Sequence, residues 1–110
     1  MPLNWQKKLG ILCVLICLTL VSCDKVKGVV YYKAASRAHT KGDLKSAIEL
    51  YKKSIEADPT KADVQYNLGV AYLDHHDYDK ADQQIQKLKE MGESETAALL
   101  QKLWHEEKDQ

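Results

Sequence analysis

The sequence predicts an all-α fold: a short solenoid of two helix-turn-helix repeats and a C-terminal capping helix, behind an N-terminal apolar segment. Three observations predict it. After residue 28, apolar side chains recur every three or four positions, the spacing of one-faced helices. Residues 28–61 laid over 62–95 share six identities at one constant offset of 34: Val30/Val64, Tyr32/Tyr66, Asp43/Asp77, Ala47/Ala81, Lys53/Lys87 and Glu56/Glu90. The composition, 45% apolar and 29% charged with two Pro and five Gly, suits a helical domain rather than a disordered or collagen-like chain.

The N-terminal segment comes first. Lys7 and Lys8 precede Leu9–Cys23, 15 residues without a charge. This is the layout of a signal peptide. As a helix those residues rise about 22 Å, short of the roughly 30 Å hydrocarbon core of a bilayer, so a permanent span is the alternative reading. The stretch ends in Leu20-Val21-Ser22-Cys23, which resembles the lipobox of bacterial lipoproteins. The resemblance implies that residues 1–22 are removed, that Cys23 carries diacylglycerol on sulfur, and that acyl chains (palmitate among them) anchor the chain in the cell envelope. Two or three chains anchor stably where one binds only marginally. Cys13 and Cys17 would leave with the signal, so neither a disulfide framework nor a cysteine metal site is expected. Residues 23–27 then form a linker whose extended reach is about 15 Å, which holds the domain at the membrane surface.

Repeat 1 covers 28–61 and repeat 2 covers 62–95. The helix faces are Leu44, Ala47, Ile48, Tyr51 and Ile55, then Val64, Leu68, Ala71 and Tyr72, then Tyr78, Ala81, Ile85 and Leu88. Gly42 permits the return within the first pair and Pro59 stops the second helix. Thr60, with Asp63 three residues on, reads as a helix start. Small residues mark the close approaches, Ala35 against Ala47 and Gly69 against Ala81. A last helix, with Ala97, Leu100 and Trp104 on one face, caps the array over 96–110, and Trp104 reads as a core anchor rather than a partner-binding aromatic.

The period of 34, with Leu68-Gly69, Tyr72 and Ala81, resembles the tetratricopeptide (TPR) repeat. TPR arrays bind partner segments in a groove lined by the first helix of each pair. Carried over position by position, the resemblance implies a groove of Val29, Tyr32, Ser36, His39 and Thr40 in repeat 1, and of Asp63, Tyr66, Val70, Leu73 and Asp74 in repeat 2. Tyr32 and Tyr66 stand one period apart and are expected to stack there, either as a binding anchor or as packing between the repeats. Of the residues that clamp a terminal carboxylate in some TPR proteins, only Asn67 has a counterpart, which argues for a helix or extended segment as the ligand.

Other function classes are disfavoured. The chain beyond the signal carries 14 basic and 16 acidic residues, a net charge of −2 with no clustered cationic face for nucleic acid. His75 and His76, with Asp74, Asp77 and Asp79, are adjacent in a turn and diverge rather than converge on a metal. His39 and His105 stand without an evident partner. No nucleophile with a base, no phosphate loop and no paired catalytic carboxylates are present, so neither catalysis nor a cofactor is expected. The expected function is that of a membrane-tethered adaptor or assembly factor with a protein partner. The alternative is a structural subunit that self-associates as a homodimer or docks end-on, since two repeats are fewer than an array usually needs.

Overall fold

The computed structural model describes residues 2–110, with the side chains of all of these except 2–5 and 20–22. The described residues form five α-helices: α1 (Pro2–Thr40), α2 (Leu44–Ala57), α3 (Ala62–Asp74), α4 (Tyr78–Glu90) and α5 (Ser94–Lys108). The first helix packs on α2, α2 on α3, α3 on α4, and α5 on both α3 and α4. This is the all-α, TPR-like solenoid with a terminal helix that the periodicity predicts.

Three of the four turns share one local design. After α1, the amide of Gly42 donates to the His39 carbonyl at 2.9 Å and that of Asp43 to the Ala38 carbonyl at 2.9 Å. The same pair of bonds recurs at His76 and Asp77, and at Gly92 and Glu93. Such a cap places one residue in the left-handed region, where Gly has no steric cost. Gly42 and Gly92 have φ of 81° and 80°; in the second repeat that place is taken by His76, at φ 60°. Asp43 and Asp77 follow as N-caps, accepting from the amides of Ser46 and Lys80. The repeated aspartate is thus a capping residue, of a kind that contributes about 1 kcal/mol.

The turn between α2 and α3 differs from its expected form. Thr60 does not cap α3, whose N-cap is Lys61 without a side-chain bond. Instead the Thr60 amide and hydroxyl both donate to Asp58 Oδ1, at 3.1 and 2.6 Å. A carboxylate two residues upstream offers the hydroxyl a shorter loop than the helix does. The segment Asp24–Lys27, expected as an extended linker, is helical and continuous with the rest of α1. No proline interrupts it, and Lys27 lies 3.9 Å from Asp24 one turn back.

The core joins α1 to α5 through fully buried Ala35, Ala47, Ala71, Ala81 and Ala97, with Tyr51, Leu73, Ile85, Leu88 and Leu100 as its largest wholly enclosed side chains. Ser54 is also buried and donates to the Gly28 carbonyl at 2.7 Å, tying α2 to α1. Trp104 is half-buried and its indole N–H donates to the Tyr78 carbonyl at 2.9 Å, which fixes α5 on α4.

Gly69 corrects a detail of the expected packing. A Cβ built there would meet Leu100 of α5 well inside contact distance and Gln84 Cβ at 3.3 Å; Ala81 is not among its nearest neighbours. The glycine admits the capping helix first, and it meets its own repeat partner α4 at Gln84 rather than at Ala81. Gly28 is different: a Cβ would lie 3.4 to 3.5 Å from Ser54, Ala57 and Asp58, an ordinary contact. The same substitution should therefore have opposite signs at the two positions. Gly28→Ala gains helix propensity and should raise stability by up to about 1 kcal/mol. Gly69→Ala should lower it by about 1 kcal/mol net, since overpacking against fully buried Leu100 outweighs propensity. Urea unfolding of both variants checks the pair, and equal signs would refute the seating of Leu100 on Gly69.

Candidate protein-binding groove

The first helix of each pair and the cap, α1, α3 and α5, share one face of the solenoid, and two side-chain bonds tie α1 to α3 along it. Asn67 Nδ2 donates to the Tyr32 hydroxyl at 3.2 Å and to the Asp63 carbonyl at 2.9 Å. His39 Nε2 lies 2.6 Å from Asp74 Oδ2. A carboxylate only accepts, so a proton sits on Nε2, and His39 Nδ1 lies 3.4 Å from the Tyr51 hydroxyl. Burial, and then the neighbouring Tyr32, push the Tyr51 phenol up. His39 therefore has two partners, contrary to the expectation of none. The signal was its place: Asp74 is the last residue of α3 and His39 the last but one of α1.

The expected groove residues do not line one continuous recess. Tyr32 and Ser36 border a recess of about 410 Å³ along α1 with Lys33, Arg37 and Thr40. Asp63 and Tyr66 border a second, of about 450 Å³, between α3 and α5 with Asn67, Thr96 and Leu99. Leu73 is not a groove residue, being 2% exposed within the core. Val70 is half-buried against the core, and Val29 is exposed on α1.

The aromatic neighbour of Tyr32 is Tyr51, with ring centroids 6.1 Å apart, rather than Tyr66. Its hydroxyl is engaged by Asn67, so Tyr32 packs the junction between repeats. Tyr66 instead faces the α5 side, where Leu99 is 60% exposed beside it. Leu99 was not among the expected groove residues. It is the apolar residue on α5 that falls off the face formed by Ala97, Leu100 and Trp104, and that surplus was its signal.

A further recess, of about 580 Å³, lies on the other side of α3 between α2 and α4. Gln65, Leu68 and Tyr72 form its floor, and Lys52, Asp82 and Lys87 stand on its walls. Among the described residues, no group of three or more His, Cys, Asp or Glu is placed to hold a metal ion. At the N-terminal end, Gln6–Thr40 is long and apolar enough to cross a bilayer, with a window of mean hydropathy 2.2, a property that a signal sequence shares. Cys23 is exposed on this helix; the side chains of Leu20, Val21 and Ser22 lie outside the described residues.

Residues 37–75 match the TPR repeat family model. The match runs from the last turn of α1 through α2 to the end of α3, so it includes His39, Asn67 and Asp74 of the junction between repeats, while Tyr32 lies just before it. No curated protein matches the chain. The TPR match and the repeated helical fold together point to a protein–protein interaction module.

Two turn carboxylates set how this module responds to acid. The Ser46 hydroxyl and amide hold Asp43 below the usual carboxylate range, and the Thr60 hydroxyl and amide do the same for Asp58. A carboxyl whose folded value lies below its unfolded value stabilises the fold above the unfolded value. That contribution disappears as the pH falls through the folded value. The thermal midpoint should therefore be insensitive to these groups near neutrality and fall below about pH 4. Asp43→Asn, which preserves a capping oxygen, should flatten the acid limb, as circular dichroism melts across pH will report.

Proposed function

We propose that the chain is a membrane-tethered adaptor that holds a segment of a partner protein between α3 and α5, with Tyr66 and Leu99 as its apolar anchors. The observation that carries this reading is the recess between those helices. An aromatic ring and a largely exposed leucine border it together, with the polar tips of Asn67 and Thr96 beside them. Apolar anchors ringed by polar groups are the arrangement in which a few residues dominate binding. Asp63 and Glu93 stand on the same rim, which favours a partner segment with an apolar residue flanked by basic ones. A lone surface leucine would need no explanation, but this one adjoins a ring on a face that TPR arrays use.

The tethering half of the reading rests on the apolar helix ahead of the repeats and on Leu20-Val21-Ser22-Cys23. In this reading Cys23 is the lipidated first residue of the mature chain in a bacterial cell envelope. The chain needs no cofactor for this role.

Two experiments test the two halves separately. For the anchor, Cys23→Ala should accumulate as an unprocessed precursor, and mass spectrometry of the wild-type protein should find no peptide beginning at Met1. Recovery of the intact N-terminus would overturn lipidation in favour of a retained span. For the groove, a photo-crosslinking residue in place of Tyr66 should capture a partner in the native cell where one at Lys87 does not. Tyr66→Ala and Leu99→Ser should each weaken that capture by about 1 to 3 kcal/mol with little change in the thermal midpoint. Tyr32→Ala, by contrast, should lower the midpoint. If Tyr66→Ala melts as early as Tyr32→Ala and keeps its partner, the recess is packing and not a binding site.

A further inference from the structure

The repeat places Val30 and Val64 at the same position, yet Val64 is 3% exposed and Val30 is 60% exposed. Val64 is enclosed because α3 has a preceding repeat beside it. Val30 has none, so the outer face of α1 is a junction face with nothing packed on it among the described residues. Val26, Val30, Lys33 and Arg37 lie along it at intervals of four, three and four residues, which is one line on a helix. Val26 is 61% exposed, and Lys33, Arg37 and Lys41 are exposed as well.

This face is not built to receive another repeat. Arg37 stands where the second repeat has Ala71, which is wholly buried, and Lys33 stands where it has Asn67. A long cation at the alanine position would block the close helix approach that the second junction uses. Among the described residues, none of Lys33, Arg37 and Lys41 has a carboxylate within ion-pair distance. The only acidic residue in α1 is Asp24, which pairs with Lys27. The result is an apolar strip continued by unpaired cations, immediately after the apolar segment and Cys23.

We propose that this outer face of α1 docks flat on an anionic lipid surface. The valines enter the headgroup boundary, and Lys33, Arg37 and Lys41 meet the lipid phosphates, as interfacial helices combine apolar area with basic charge. The inference rests on the tethered reading, since an anchor at Cys23 puts Asp24–Thr40, a helical stretch of about 25 Å, next to the bilayer. A tether alone leaves the domain free to swivel. The docked face fixes its orientation, with the solenoid rising from the membrane and the α3/α5 recess held clear of it.

The test is amine labelling of the full-length chain reconstituted in two kinds of vesicle, phosphatidylcholine alone and phosphatidylcholine with phosphatidylglycerol. The labelling of each lysine is read by mass spectrometry. Lys33 and Lys41 should label about fivefold less, or lower still, in the anionic vesicles and recover in high salt, while Lys87 and Lys102 do not change. Lys33→Glu combined with Arg37→Glu should restore Lys41 labelling with unchanged helicity, since neither side chain is buried. A chain that floats with both vesicles but labels equally in each overturns the docking and leaves the tether standing. A chain that floats with neither overturns both. Protection of Lys33 and Lys41 in zwitterionic vesicles that grows with protein density would assign the face to a second copy and likewise overturn the lipid proposal.

Discussion

The close approach of Leu100 to Gly69 is the contact on which the rest of the molecule depends. Two repeats alone would leave the far side of α3 and α4 open to water. The missing side chain at Gly69 lets α5 come down onto both helices, and Leu100 fills the space to full burial. Burying a leucine contributes roughly 1.5 to 3 kcal/mol, a large share of what so small a domain can hold in reserve. The indole of Trp104 adds a directional bond at the other end of the same helix. Closing the array in this way also creates the recess in which Tyr66 meets Leu99. The element that completes the core therefore supplies one wall of the candidate site.

The two ends of the solenoid are finished differently. At the C-terminal end the last apolar face is covered by α5, whose own outer surface is polar apart from Ala98 and Leu99. At the N-terminal end no helix among the described residues covers the outer face of α1, and its exposed valines are compatible with water only singly, not as a strip. Charge on that face rises with distance from the apolar segment, from Val26 to Lys41. An array with one end dressed for water and the other for a surface has a direction, which a symmetric pair of repeats would not have.

Much of the fold was legible in the sequence because it is local. Helical periodicity located α2 to α5, and the 34-residue offset found the repeated cap Asp43/Asp77 and the buried pair Ala47/Ala81. Gly42 marked its own turn. What stayed hidden depends on contacts between helices. Gly69 advertised a close approach but not its partner, because Leu100 lies 31 residues away and the turn before α5 is three residues long where that before α3 is four. The register between α3 and α5 therefore departs from 34. Leu73 looked like a groove residue by position, and only the packing of α3 shows it facing inward. Tyr32 and Tyr66 were identical letters with different neighbours, one held by Asn67 and Tyr51, the other left beside Leu99. Thr60 carried a capping signal that a nearer carboxylate intercepted.

The bonds from Asn67 to Tyr32 and from His39 to Asp74 each join residues 35 apart, and both lie along the edge shared by α1 and α3. Solenoids of stacked helices ordinarily flex at such junctions, opening and closing their curvature with small rotations of one pair against the next. Two rungs set about two turns apart oppose that rotation, because a pivot about one stretches the other. A partner meeting this surface finds its shape already set and does not have to supply the ordering itself. The same stiffness narrows the choice of ligand, since a segment of the wrong curvature cannot recruit the repeats to follow it.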